Sequence, residues 1–376
     1  MLLSLPVQLR SGNMHVLHIV NNARRGGAGF VILPIIEELG KQGVSFTVAY
    51  MLGPEHLVEE YHRLGAKTIH LGKNPVKIIK SLVELILSKQ NPVSIIHTHL
   101  VQASLVGRLL GRLMGIPVMT TRHYRERSKP LNPFYILEDI TSRYSQRIIA
   151  ISNAVREHLL ELGYSSTQRC RTIYSPMDLK LFEGYGSSDL GQKSKIVFNG
   201  RFIKLKGIEY LLQAFERVAD ELEGSSLILM GRYEPGNSIL DLVERHPQRD
   251  RIVIKGFVER EEIIKELDEA RLYVQPSLSE GLGLAALEAM GMGCPCILSD
   301  AGGLLELADD GQNAITVAAR DFEGLSKAML SLWHDADRSK RLGMNAKRFV
   351  ENKFNARDSA KQYFEQYRIL EERNKR

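Results

Sequence analysis

The feature that most limits how this chain can fold is an alternation. Short continuous apolar runs rich in Val, Ile and Leu are separated, almost from end to end, by segments of helical periodicity. "HVLHIV" (15–20), "SFTVAYM" (45–51), "KTIHLG" (67–72), "VSIIHTH" (93–99), "PVMTT" (117–121) and "RIIAIS" (147–152) make one series. "KIVFNG" (195–200), "SLILMG" (226–231), "RIVIKG" (251–256), "RLYVQP" (271–276), "PCILSD" (295–300) and "NAITV" (313–317) make a second. Strands apolar on both sides need cover on both faces, which is the condition of a parallel sheet between layers of helices. The two series predict an α/β protein of two doubly wound domains. A length of 376 residues, too long for one ordinary core, agrees. Periodicity lapses in "FEGYGSSDLGQKSK" (182–195), which reads as a linker. The domains are therefore placed at 1–185 and 186–355. A last helix over 356–376, with "AKQYFEQYRIL" at helical spacing, is expected to pack across the domain junction.

Composition narrows the class. With 44% hydrophobic and 25% charged residues the chain is globular. Its three cysteines suggest no disulfide framework and fit a reducing cytoplasm; Cys294 and Cys296 read as small buried fillers at a strand entry. No apolar run reaches the roughly 18 residues of a membrane span. The opening "MLLSLPVQLRSGN" is broken by Pro6 and lacks a basic leader, so no secretory signal is expected. A net charge of +6 calls for an anionic partner: nucleotide phosphates, an acidic membrane face or nucleic acid. No nucleic-acid recognition motif accompanies the charge.

Ligands of open parallel sheets bind beyond the carboxyl ends of the strands, so the loops there carry the information. After the first strand, "RRGGAGF" offers Gly26 and Gly27, where the backbone can approach a phosphate, followed by a helix start. A tight turn with no ligand explains the same residues, and the G-x-G-x-x-G fingerprint is not matched. "FNGRFIKLKGIEYLLQAF" (198–215) places Arg201 and Lys206 on a strand-to-helix loop, where both charges can meet one anion or stay solvated. "PSLSEGLGLAALEAMGMGCP" (276–295) carries Glu280 on a glycine-broken loop and Glu288 in the helix that starts near Leu284. Residues eight apart on a regular helix diverge by about 80° and 12 Å. The two acids therefore suit two parts of one extended ligand better than one metal ion, with a catalytic pair or surface charge as the alternatives.

"GRFIKLKG" and "SEGLGLAALEAMGMGCPCILSDAGGLLELADDG" resemble the signature of family 4 of the retaining glycosyltransferases, with Glu280 to Glu288 as its E-x7-E element. "RRGGAGF", "IIHTHL", "MTTRHYR" and "AISNAVREHL" are similar to its N-terminal landmarks, in order. The resemblance runs from about residue 14 to 370. It implies the GT-B fold: two Rossmann-like domains facing across a cleft, with the C-terminal helix crossing back to the first. It also implies roles. Arg201 and Lys206 hold the donor diphosphate, and Glu280 contacts donor-sugar hydroxyls, with Gly281, Leu282, Gly283 and Leu284 alongside. Glu288 binds the ribose, Gly27 beside Gly26 lies near the distal phosphate, and His123 lies near the donor sugar. No metal or other cofactor is implied. Departures such as "YSPMD" (174–178), "MGRYEPG" (230–236) and Leu282 bear on donor identity, not on reaction class.

The resulting expectation is a cytoplasmic, metal-independent retaining hexosyltransferase. It would use a UDP- or GDP-sugar and a glycan or lipid-linked acceptor, in lipopolysaccharide or other surface polysaccharide synthesis. The rival readings are a UDP-sugar 2-epimerase of the same fold and a catalytically silent sugar-nucleotide binding module. "RHYRERSKPLNPFYILEDITSRYSQR" (122–147), basic with interleaved aromatics, is the candidate for acceptor or membrane contact at the inner face. Asp335-Ala-Asp337 reads as a helix cap, and in "HTH" one of His97 and His99 is expected in the core and the other toward a cleft.

Overall fold

The structure is a computed structural model; it describes residues 14–24, 27–53, 55–124, 133–185, 190, 193–233 and 236–374. Strands β1 (His15–Asn22), β2 (Ser45–Leu52), β3 (Lys67–His70), β4 (Ile95–His99), β5 (Val118–Arg122), β6 (Arg147–Ala150) and β7 (Cys170–Thr172) form one sheet. Their order is β3-β2-β1-β4-β5-β6-β7. Strands β8 (Lys195–Asn199), β9 (Ser226–Met230), β10 (Ile252–Gly256), β11 (Ala270–Gln275), β12 (Cys296–Ser299) and β13 (Ile315–Val317) form the other, in the order β10-β9-β8-β11-β12-β13. Each registered pair is parallel. Both orders reverse direction beside the first strand of the set, which is the doubly wound pattern. The predicted strands all occur; β7 was not foreseen.

Helices α1 (Gly27–Gly40), α2 (Val58–Arg63), α3 (Pro75–Ile86), α4 (Val101–Met114), α5 (Pro133–Thr141) and α6 (Asn153–Glu161) accompany the first sheet. Helices α7 (Ile208–Val218), α8 (Ser238–Glu244), α9 (Arg260–Asp268), α10 (Leu284–Gly291), α11 (Phe322–His334) and α12 (Ala336–Lys353) follow in the second half, and α13 (Ala356–Asn374) ends the described chain. Local chemistry sets several starts. Asn74 accepts from the amides of Val76 and Lys77 ahead of Pro75, and Ser152 accepts from that of Val155. Asp335 accepts from the amide of Arg338, so it caps α12 as expected.

Two compact units emerge from the described residues. One comprises those up to Thr121, Pro133–Ile148 and those from Ala360 onward; the other comprises Arg122–Tyr124 and Ile149–Ser359. The second unit's core joins Phe198, Leu229 and Leu272 of the sheet to Phe215 and Met329 of α7 and α11. Each such side chain contributes about 1.5–3 kcal/mol on burial. Cys294 and Cys296 are buried there with free thiols.

In the first unit the expectation for "HTH" is corrected. Residues two apart in a strand share a face, so His97 and His99 are both buried, with ring centroids 4.2 Å apart. His18 on β1 joins them, its Nδ1 lying 3.0 Å from His99 Nε2. His97 bonds Thr121 Oγ1 and the Tyr367 hydroxyl of α13, each at 2.7 Å. Tyr363, Tyr367 and Leu370 bury the apolar stripe of that helix.

Candidate functional site

The site grows from the ends of β8 and β11 in the second unit. After β8 the Gly200 amide donates to Met230 O at 2.9 Å. Arg201 then reaches solvent, and Lys204–Lys206 make a single 3-10 turn. Gly207 follows with φ of +63°, and a Cβ there would lie 2.0 Å from the carbonyl oxygen of Pro276. Only glycine lets the two loops approach this closely. The Leu278 amide, donating to Leu205 O at 2.8 Å, fixes the approach. Gly207→Ala is expected to destabilise the protein by about 2 kcal/mol, combining a left-handed backbone penalty with a backbone clash. A denaturant midpoint equal to that of the parent would contradict this geometry.

A buried polar ladder extends from β11. Tyr273, Gln275 and Ser277 project to one side because strand side chains repeat every second residue. Tyr273 donates its hydroxyl to Gln275 Oε1 at 2.5 Å. Gln275 Nε2 in turn donates to Ser277 Oγ (2.9 Å) and Glu280 Oε1 (3.3 Å). Ser277 Oγ donates to the same Glu280 oxygen at 2.9 Å, as does Lys206 Nζ at 2.5 Å. The Lys206 and Glu280 side chains are only 17% and 10% exposed, so solvent screens this pair far less than a surface ion pair. Three donors converge on Oε1, and Oε2 has no such partner among the described residues, which leaves a fixed acceptor for a ligand hydroxyl.

The loop that follows is built by close backbone packing. A Cβ on Gly281 would lie 2.8 Å from His123 O, one on Gly283 would lie 2.4 Å from Leu304 Cδ2, and one on Gly303 would lie 2.2 Å from Gly281 O. Ser152 Oγ donates to Gly281 O, and the Gly303 amide donates to Glu280 O at 3.1 Å. Glu306 accepts from the amides of Asn153 (2.9 Å) and Ala154 (2.7 Å) at the start of α6, and from the Tyr174 hydroxyl (2.7 Å). The carboxylate suits the positive end of that helix. Leu282 is buried, so only its backbone is on offer. Burial draws the His123 imidazole down to about 4, which keeps it neutral near pH 7.

The predicted residues thus fall into groups. Lys206, Glu280, Gly281, Gly283 and the His123 backbone come together. Leu284 opens α10, and Glu288 lies one turn along it with Oε1 3.4 Å from Arg260 Nη2. Burial pushes the Glu288 carboxyl up, and the Arg260 charge pulls it back. Glu280 and Glu288 bond different partners. Arg201 is exposed and has no side-chain hydrogen bond among the described residues. Gly27 opens α1 in the other unit, and Gly26 lies outside the described residues. Sequence reasoning did not single out the Tyr273–Gln275–Ser277 ladder, Ser152, Glu306 or Arg260. Polar residues at every second position of "YVQPS" were the available signal for the ladder. The cluster of metal-ligating side chains among the described residues is elsewhere: the ligand nitrogens of His18, His97 and His99, in the first unit, lie within 4.8 Å of one another.

Residues 187–349 match the family model for glycosyl transferases group 1, and residues 25–181 match that for glycosyltransferase family 4. The chain belongs to the group 1 glycosyltransferases. It is 25% identical over 298 residues to the capsular polysaccharide biosynthesis glycosyltransferase CapM of Staphylococcus aureus, covering 74% of this chain and 77% of that one. It is 26% identical over 279 residues to an Escherichia coli UDP-Gal:alpha-D-GlcNAc-diphosphoundecaprenol alpha-1,3-galactosyltransferase, covering 69% of this chain and 72% of that one. The structure of HepE from Anabaena in complex with UDP-glucose superposes with a TM-score of 0.82 at 17% identity, covering 94% of this chain and 99% of that one. The architecture of this group 1 glycosyltransferase is therefore GT-B.

Proposed function

We propose that this glycosyltransferase is a retaining enzyme that moves a hexose from a UDP- or GDP-sugar to a glycan or lipid-linked glycan, in the cytoplasm, during surface polysaccharide or lipopolysaccharide assembly. The observation that carries the reading is Glu280, fixed by Lys206, Ser277 and Gln275 through one oxygen, beside a glycine loop packed on His123. The roles of CapM in capsular polysaccharide biosynthesis and of the E. coli galactosyltransferase on a diphosphoundecaprenol-linked sugar support the acceptor class.

The anomeric carbon–oxygen bond breaks as negative charge gathers on the departing nucleoside diphosphate. Lys206 meets that charge in a shielded setting, and Arg201 swings from solvent to meet it as well. The acceptor oxygen bonds the anomeric carbon on the face that the diphosphate leaves, and its proton passes to a leaving phosphate oxygen. Glu280 holds sugar hydroxyls through Oε2. Neutral His123 lines the sugar without adding charge, and Glu288 accepts from the ribose hydroxyls. We propose that side chains of this protein stabilise the leaving charge and position both sugar and ribose, and that no bound metal takes part.

Screening UDP-, GDP- and ADP-sugars by thermal shift, followed by transfer assays with EDTA present and NMR assignment of the product anomer, tests this reading. A matching donor at about 100 times its Kd adds roughly 2.7 kcal/mol. Absence of stabilisation by any nucleotide sugar, inversion at the anomeric carbon, or release of a C2 epimer without transfer would each defeat it.

Arg260 supplies a pH test of the Glu288 role. Ionised Glu288 accepts ribose hydroxyls, and protonation removes that acceptor. In Arg260→Gln the opposing charge is gone, burial acts alone, and the carboxyl takes up its proton at higher pH. Donor KM is then expected to exceed that of the parent by about threefold or more at pH 6.5 and to converge with it in alkali. A KM raised equally at every pH would mean that Arg260 acts only structurally.

A further inference from the structure

Polar side chains recur at every second position from Tyr273 to Ser277, at the end of β11 and just beyond it. All three are buried, and the Gln275 side chain lies between the other two. An apolar residue would fill each place without needing a partner, so the bonds that these groups make call for a reason. Their directions are set from one end. Burial pushes the Tyr273 hydroxyl well above its ordinary range, so it keeps its proton and donates. It donates to Gln275 Oε1, which turns Gln275 Nε2 toward Ser277 Oγ and Glu280 Oε1. Ser277 Oγ, already accepting from that amide, gives its own hydrogen to Glu280 Oε1.

Rotating the Gln275 amide by half a turn undoes this order. Its oxygen would then face the Glu280 carboxylate and draw the Ser277 hydrogen to itself. Of its three donors, Glu280 Oε1 would keep Lys206 alone. The Tyr273 hydroxyl therefore controls two of the three bonds on a carboxylate to which it is not itself bonded.

We propose that Tyr273 and Gln275 are positioning residues of the donor site, which orient Glu280 so that its Oε2 selects one hydroxyl of the hexose. The inference rests on the transfer reading and on the place of Glu280 in it. It adds that discrimination among hexoses resides in part in two buried side chains that meet no ligand.

The test pairs Tyr273→Phe and Gln275→Leu with altered donors. UDP-glucose, UDP-galactose and GDP-mannose are assayed for transfer, and the one that the parent uses best is compared with its 3-deoxy, 4-deoxy and 6-deoxy forms. Removing the hydroxyl that Glu280 accepts is expected to lower the parent's kcat/KM by about tenfold or more. In both variants that penalty is expected to shrink to about threefold or less, because the intact donor has lost its aligned acceptor. Affinity for UDP or GDP, which carries no hexose, is expected to stay at the parent's value. Tyr273→Phe removes a single oxygen, and it carries the test alone should Gln275→Leu fail to fold. A full deoxy penalty in the variants would overturn the inference and leave the transfer reading standing. So would a loss of nucleotide affinity as large as the loss of donor affinity, which would make the two residues merely structural. No penalty for any deoxy donor in the parent would instead remove Glu280 from the sugar, and the inference with it. Absence of transfer from every nucleotide hexose would defeat both.

Discussion

Lys206→Ala is expected to lower kcat/KM by about tenfold to a hundredfold while the protein stays folded. The lysine is a charge-assisted donor in a shielded setting, and such a bond is worth about 1.5–3 kcal/mol, at roughly 1.4 kcal/mol per decade of rate. Its ammonium has two tasks. It faces the charge that develops on the leaving diphosphate, and it holds Glu280 Oε1 at 2.5 Å. Ser277 and Gln275 still hold that oxygen in the variant, so Glu280 keeps its place and the missing charge is what the rate reports. Glu280→Ala removes the sugar-hydroxyl acceptor and is expected to cost at least about tenfold. Steady-state kinetics with saturating and subsaturating donor, beside thermal melts, measure both. Parent-like turnover in both variants would remove Lys206 and Glu280 from the site.

What the sequence disclosed follows from which interactions are local. The twelve foreseen strands were legible because a strand covered on both faces is apolar without interruption, as in "SLILM" of β9 and "RLYV" of β11. Strand β7 reads "CRT", three residues at the end of its sheet's order, and such a piece leaves no periodic trace. Lys206 and Glu280 could be placed after strands, but their pairing across 74 residues depends on β8 and β11 being neighbours. The partner of Glu288 was hidden for the same reason, because Arg260 starts a different helix. In "HTH" a fixed period of two decides that both histidines share a face. Segment 122–147 was read from its charges and aromatics as a candidate contact surface, but the direction its helix faces was not legible, because one buried arginine on α4 turns the apolar side of α5 outward.

Arg108 therefore carries more of the first unit than its exposed neighbours suggest. Arg108→Ala is expected to destabilise the protein by about 3 kcal/mol or more, through lost bonds and orphaned partners together. The guanidinium, 1% exposed, serves Ser145 and Thr120 through Nε and the carbonyl of Glu138 through Nη1. Alanine leaves these groups buried where water cannot readily replace the donor, and it removes the anchor that turns α5. Arg108→Met is the informative companion, since it restores much of the volume but none of the donors. If packing were the main contribution, methionine would recover most of the lost stability; if hydrogen bonding is, both variants melt alike and well below the parent. Denaturant midpoints and limited proteolysis around α5 separate the cases. A parent-like midpoint for Arg108→Ala would show that α5 owes its orientation to some other contact, and the origin assigned to its outward apolar face would fall with it.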